Sequence, residues 1–288
     1  MSLFTSYRLL GLLNLLTPKA PGSRRVAAGL AYGASSRQRV DLYAPRAGGG
    51  PWPLVTFFYG GSWTQGERGY YEYAARALAA AGFLVAVPDC RLVPDVEYPI
   101  FLEDCCYTVQ WAVAHARDYG GDPRRLAIIG HSAGAYNALM LTLDQRYLAA
   151  RGLMASLKAV AGLSGPYDFY PFDVAVSLRA FGGVDDPRAT QPVNLARAGL
   201  PPIWLAHGSA DDLVAPRNTI RLASELRGKG VEVSERHYEG ASHSGTVLAL
   251  GGPGSRKLPV LAELTGFLSA HLHASETTSI LAPAEPAA

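Results

Sequence analysis

This chain is short of cysteine, of charge and of long apolar runs, and each shortage closes off a class of protein. It has 3 cysteines in 288 residues. Cys90, Cys105 and Cys106 show no C-x-x-C or Cys/His spacing, so neither a disulfide framework nor a structural zinc site is expected. They read as small buried hydrophobes in a reduced protein. Charged residues make up only 17%, with 26 Lys+Arg against 24 Asp+Glu. A formal charge of +2, with no run of five like charges, excludes the basic footprint of a nucleic-acid binder. The longest apolar run, 77–88, is interrupted by Gly82 and falls well short of the roughly 20 residues of a membrane span.

What is there is ample apolar material. A hydrophobic share of 49% over this length supports a buried core. The 31 Gly and 20 Pro punctuate it with turns. Residues 9–16 (LLGLLNLL) follow Arg8 and predict a short amphipathic helix within a covering segment over 1–25. A signal-peptide core is the other reading of 1–20. Asn14 within the run opposes it, as does Lys19 where small neutral residues should precede cleavage. The favoured reading places the protein in the cytoplasm. The tail, 274–288, is rich in Ala, Pro, Glu, Ser and Thr and is expected to be disordered.

From 26 to 273 the pattern alternates. Segments 26–32 and 37–43 suit an antiparallel hairpin, the second with one wet face. Strands are then predicted at 54–59, 83–87, 126–129, 157–163, 203–206 and 231–238, opening with the continuous apolar run LVTFFY. Helices are predicted at 70–81, 101–119, 132–143, 216–227 and, last, 255–272. Repeated strand–helix–strand units make an α/β fold, a mainly parallel sheet with helices on both faces and right-handed crossovers. Segment 164–200 is aromatic early and Pro/Gly-rich later. It reads as a small cap-like insertion over one end of the sheet.

Gly130-His131-Ser132-Ala133-Gly134 is a G-x-S-x-G set between a predicted strand and a predicted helix. Such a turn is tight, and it pushes the serine hydroxyl out at the strand end, where the next helix aims its N–H groups. A serine needs a base to take its proton and an acid to orient that base. The loops after later strands supply both. His207-Gly208-Ser209-Ala210-Asp211-Asp212 follows one, and Glu239-Gly240-Ala241-Ser242-His243 follows another. Of seven histidines, only His243 sits in a loop after the last strand. His131, inside the elbow, is taken to point away from the serine. Ser132, Asp211 and His243 are therefore the candidate catalytic residues, with Asp212 the alternative acid. Consecutive glycines in Tyr59-Gly60-Gly61-Ser62-Trp63 let the backbone aim N–H groups at a substrate oxygen, and the N–H of Ala133 completes an oxyanion hole.

Together these motifs resemble the α/β-hydrolase superfamily. More narrowly, the chain is similar to the esterases related to hormone-sensitive lipase and the neighbouring feruloyl-esterase-like and kynurenine-formamidase-like group. Arg91-Leu92-Val93-Pro94-Asp95, followed by Tyr98-Pro99 and Asp104, resembles the stretch usually written YRLAPE. Val40-Asp41-Leu42-Tyr43-Ala44-Pro45 resembles the DLY-x-P strand end of the same group. The resemblance implies an α/β-hydrolase fold and a serine carboxylesterase for small, uncharged esters, working through an acyl-enzyme without metal or cofactor. A formamide hydrolase and an inactive binding module are the alternatives. It maps the oxyanion donors to Gly61 and Ser62, with Gly60 a further candidate, beside Ala133. It implies pocket walls at Tyr59, Trp63, Tyr167, Phe169, Phe172, Leu213 and Val214, and a buried structural pair of Arg91 with Asp104. The sequence departs from the group in three places. Tyr59 stands where the oxyanion loop normally begins with His, Ser62 replaces a third Gly, and Cys90 replaces Tyr. The only partner implied is a small-molecule ester, and no feature sets the oligomeric state.

Overall fold

Strands whose alternate residues are all apolar must be covered on both faces, and that requirement sets the architecture here. The computed structural model describes Gly11, Asn14 and residues 17–273. Its strands are β1 Ser23–Ala31, β2 Arg39–Pro45, β3 Trp52–Phe58, β4 Leu84–Asp89, β5 Gly121–His131, β6 Leu157–Leu163, β7 Ile203–Gly208 and β8 Val233–Tyr238. Its α-helices are α1 Glu72–Ala80, α2 Ile100–His115, α3 Ala133–Leu143, α4 Ala175–Phe181, α5 Arg217–Gly228, α6 Gly245–Leu248 and α7 Val260–His273. The strands form one sheet in the order β1-β2-β4-β3-β5-β6-β7-β8. The pairs β1–β2 and β2–β4 are antiparallel, and every later pair is parallel.

Two cores lie on the two faces of this sheet. Leu54, Leu84, Leu126 and Ile128 cluster with residues of α2 and α3. Val55, Phe57, Val85 and Ile129 cluster with residues of α1 and α7. On α7, Val260, Leu264, Leu268 and Leu272 are buried, an every-fourth spacing that keeps one stripe on the sheet. On α5, Leu222, Ala223 and Leu226 face inward while most of its charges face water. Helix α3 is buried along its whole length, and its two polar side chains, Asn137 and Thr142, are hydrogen-bonded there.

Some boundaries differ from the sequence pattern, each for a physical reason. β2 has no wet face: Val40, Leu42 and Ala44 join one core and Tyr43 the other. Its one polar residue in that run, Asp41, is buried against Arg68. β5 begins at Gly121 because that residue pairs with Trp52 of β3. The helix expected over 101–119 is α2 plus a 3-10 turn, Ala116–Tyr119. The last helix starts at Val260, after Pro259, and the stretch before it forms a 3-10 turn, Gly252–Arg256.

The helix expected over 9–16 lies largely outside the described residues, as does the tail 274–288. Asn14 is described: its Oδ1 accepts from Tyr73 N (3.0 Å) and its Nδ2 donates to Gly69 O (2.8 Å). Segment 164–200 holds α4 and the 3-10 turns Pro187–Thr190 and Pro192–Leu195. Asn218 of α5 ties its start down, accepting from Tyr167 N (2.8 Å) and Asp168 N (2.7 Å).

Arg91 and Asp104 form the pair that the resemblance implies. Asp104 is fully buried and receives Arg91 Nε (2.9 Å), Arg91 Nη2 (2.7 Å), Arg91 N (2.9 Å) and Gln38 Nε2 (2.8 Å). Asp104→Ala strands all of these donors and is expected to lower stability by about 3 kcal/mol in urea unfolding. A loss below about 1 kcal/mol would show that the pair does not anchor α2.

Candidate active site

The C-terminal ends of β3, β5, β7 and β8 supply four loops at one end of the sheet, where ligands bind in open α/β sheets. At the end of β5, Ser132 has φ +54 and ψ −124, a backbone region that L-residues rarely adopt. The turn closes only because its flanks lack side chains. A Cβ on Gly134 would stand 2.1 Å from Phe58 O, and a Cβ on Gly130 would stand 2.1 Å from Gly134 O. Ser132 N donates to Leu163 O (2.8 Å), which fastens the turn to β6.

Three loops meet at the serine. Ser132 Oγ and His243 Nε2 are 2.8 Å apart, and His243 Nδ1 is 2.8 Å from Asp211 Oδ2. Asp211 is buried, and its Oδ1 accepts from Leu213 N (3.1 Å) and Val214 N (2.9 Å). The buried His207 lies 3.1 Å from Asp211 Oδ2 through Nε2 and is held at Nδ1 by Thr219 Oγ1 (2.8 Å). Burial alone would raise the Asp211 carboxyl. Hydrogen bonds from His207, His243 and Val214 N–H outweigh it and hold the group well below the usual carboxylate range. The acid is therefore ionised wherever the imidazole must be oriented. Asp212, the alternative acid, is exposed, and the hydrogen bond to His243 is made by its neighbour.

His131 does more than fill the elbow. Its Nε2–H donates to the backbone carbonyl of His243 (3.1 Å), and the two rings are 5.1 Å apart. Thr246 Oγ1 donates to the same carbonyl (3.3 Å) and meets Ser164 Oγ (3.0 Å). The residue before the nucleophile thus grips the loop that carries the base. Burial, then repulsion from His243, pushes the His131 imidazole down to about 3, so it stays neutral. Only its position next to the serine could have signalled this in the sequence.

The loop after β3 approaches the serine closely: a Cβ on Gly60 would stand 2.9 Å from Ser132 Cβ. Ser62 and Trp63 both have positive φ, +51 and +59, without being glycine. Gly61 O, accepting from Thr64 N (3.0 Å) and Gln65 N (3.1 Å), and Val93 N, donating to Trp63 O (2.9 Å), hold this bend. Gly60, Gly61, Trp63 and Ala133 line one cavity of about 40 Å³, with Phe101, Cys90 and Asn137 among its other walls. Ser62 is half-buried and is not among the residues that line that cavity.

Tyr59 is fixed by a charge network beneath the loop. Its hydroxyl donates to Asp89, receives Arg37 Nη2 (3.2 Å), and its ring stacks on Tyr71 at 5.1 Å. Burial and the facing carboxylate push that hydroxyl well above its ordinary value. Arg68 bridges Asp89 and Asp41. The other expected pocket walls are distributed differently. Trp63 does line the cavity, and its Nε1 donates to Asn137 Oδ1 (3.1 Å). Phe169 and Phe172 pack behind it around Phe181. Tyr167 is fully buried core and not a pocket wall, its ring filling the space beside Gly162 and Gly165. Leu213 is exposed and Val214 half-buried. Both serve through backbone groups, donating to Asp211. Among the described residues no group of three His, Cys, Asp or Glu side chains is placed to hold a metal ion. No helix among them is long and apolar enough to cross a membrane.

This sheet, with a strained serine on the elbow after its central strand, is the α/β-hydrolase fold. Esterase B from Lactobacillus rhamnosis superposes with a TM-score of 0.81 at 18% identity, covering 96% of each chain. A thermostable esterase from Pseudomonas putida superposes at 0.74 and 21% identity, covering 94% of this chain and 91% of that one. The BD-FAE family model matches residues 40–226, more than half of the chain, and the chain belongs to that family. A probable isoprenylcysteine alpha-carbonyl methylesterase of Oryza sativa subsp. japonica is 30% identical over 249 residues, 77% of this chain and 58% of the relative. Esterase LipC of Mycobacterium tuberculosis is 26% identical over 259 residues, 83% of this chain and 63% of the relative. The chain thus spans less than two thirds of the length of these relatives.

A neutral, buried His131 makes stability depend on pH. Unfolded, the imidazole takes a proton below about 6.5; folded, it stays neutral down to about 3. The unfolded state then binds more protons, so stability falls as pH drops from 6.5. Asp211, held low, keeps its contribution above its ordinary value of 3.8 and loses it only below that. Urea midpoints between about pH 7 and pH 4 should therefore fall more steeply in the wild type than in His131→Gln, which keeps a donor but cannot titrate. Parallel slopes would show that His131 is not held neutral.

Proposed function

We propose that this chain is a serine carboxylesterase that hydrolyses small, uncharged carboxylic esters through an acyl-enzyme intermediate. The observation that carries the reading is the unbroken hydrogen-bond path from Ser132 Oγ through His243 to Asp211, 2.8 Å at each link. Ser132 attacks the carbonyl carbon while His243 Nε2 takes its proton. Asp211 holds the His243 tautomer and stabilises the imidazolium that forms. The N–H groups of Gly61, Ser62 and Ala133, with Gly60 a further candidate, stabilise the tetrahedral oxyanion. His243 returns its proton to the leaving alcohol, then activates the water that releases the acyl group.

Further observations support the substrate class. The relatives are named as esterases of carboxylic esters or simply as esterases. The formal charge of +2 gives no steering field toward a charged substrate.

Ser132→Ala should lower turnover of p-nitrophenyl acetate by at least about 10⁴-fold while leaving thermal melting unchanged. A fluorophosphonate probe should label the wild type and not the variant. Asp211→Asn should fall by roughly 10³–10⁴-fold, whereas Asp212→Asn should stay near wild type. Full turnover in the Ser132→Ala protein would sink the reading.

A further inference from the structure

Cys90 and Cys105 form a close pair that the hydrolytic steps do not use. Cys90 follows β4 and Cys105 lies on α2, 15 positions apart in sequence, yet their Sγ atoms are 3.3 Å apart. Cys106, the next residue on the helix, faces Arg151 instead. The pair is not sealed in the core. Cys90 is only half-buried, and both residues line the cavity shared with Gly61, Trp63 and Ala133. Asn137 connects the pair to that cavity's aromatic wall. Its Nδ2 donates to Cys105 Sγ (3.4 Å), and its Oδ1 accepts from Trp63 Nε1 (3.1 Å).

We propose that Cys90 and Cys105 are an oxidant-responsive dithiol that hydrogen peroxide closes to a disulfide, and that closure moves the Trp63 wall of the cavity. The two sulfurs are placed for different steps. Cys90, nearer solvent, attacks first as the thiolate. Its sulfur bonds to one peroxide oxygen, the O–O bond breaks, and the departing hydroxide takes a proton to become water. Cys105 then attacks the Cys90 sulfenic acid. The S–S bond forms, the S–O bond breaks, and the hydroxide that leaves takes the Cys105 proton as a second water. Two thiols have lost two protons and two electrons, and one peroxide has been reduced to two waters.

A disulfide holds its sulfurs at about 2.05 Å, so the pair must close by roughly 1.2 Å from its present separation. Any part of that closure taken up by Cys105 shifts the sulfur that Asn137 Nδ2 bonds. The amide then either follows the sulfur or releases it, and Trp63 is bonded to the other end of the same amide. Any effect on turnover rests on the esterase reading above; the bond itself does not.

The full-length protein, treated with hydrogen peroxide, should lose two of its three thiols when titrated in denaturant. Peptide mapping should find residue 90 linked to residue 105, and dithiothreitol should restore all three thiols. Cys90→Ala and Cys105→Ala should each prevent the link, and Cys106→Ala should leave it intact. The linked form should show a KM for p-nitrophenyl acetate shifted upward and restored by dithiothreitol. A thiol count that stays at three, or oxidation of Cys90 alone to a sulfinic acid, overturns the dithiol. A linked protein with the KM of the reduced one overturns the coupling to Trp63. A protein that forms the link but hydrolyses no ester upholds the dithiol and fails the esterase reading instead.

Discussion

The site depends on one close approach: the start of α3 rests directly on the end of β3. A Cβ at Gly134 would come within 2.1 Å of Phe58 O and 2.5 Å of Tyr59 O, so only glycine admits the contact. The contact follows from the sheet, because β3 and β5 pair in parallel up to Phe58 opposite Gly130. Two strands that end side by side release their loops side by side. One loop becomes the glycine-rich segment and the other the serine elbow. The strained backbone of Ser132 is the local cost of turning from strand to helix in so little space.

Asp211 and His243 are held from more directions than Ser132 is. Asp211 receives two backbone N–H groups and the His243 imidazole, with the His207 ring 3.1 Å away and itself held by Thr219 Oγ1 and Val214 O, which fixes the carboxylate in a buried place. His243 is fixed at both ring nitrogens and also through its own backbone carbonyl, by His131 and Thr246. The elbow therefore positions two things at once, the serine hydroxyl and the loop of its proton acceptor. A displacement of β5 would carry both together, which preserves the distance on which proton transfer depends.

How much of this is legible in the sequence varies with the range of the interaction. The mainly parallel sheet is legible because its central strands, β3 to β7, are largely apolar on both faces and several helices begin after Pro or are followed by Gly. The chain order of Ser132, Asp211 and His243 is legible because each follows a recognisable strand. Asp211 and Asp212 cannot be separated by pattern, since only the turn's geometry decides which carboxylate faces inward. Tyr167 reads like its aromatic neighbours in the insertion, and its burial comes from the space that Gly162 and Gly165 leave open. The network of Tyr59, Arg68, Asp41 and Asp89 is invisible in advance. Its bonded pairs are 21 to 30 positions apart and obey no local period.

That network also explains how a tyrosine can begin the glycine-rich loop after β3. Buried ion pairs are a weak source of stability, because the Coulomb gain is largely spent on desolvation. Two carboxylates, Asp41 and Asp89, with Arg68 between them, are therefore an inefficient way to hold a fold together. They are an effective way to fix a position, because a carboxylate with several donors around it has few alternative orientations. Asp89 receives the Tyr59 hydroxyl, Arg68 N and the Arg68 guanidinium, and so ties together the residue before Gly60 and the residue that follows the loop. Stacking on Tyr71 fixes the plane of the Tyr59 ring. With both ends of the loop pinned, the positive φ at Ser62 and Trp63 becomes tolerable, since the bend has nowhere to relax. Tyr59 is thus anchored on Asp89 at the end of β4, which leaves the Gly60 backbone against the serine.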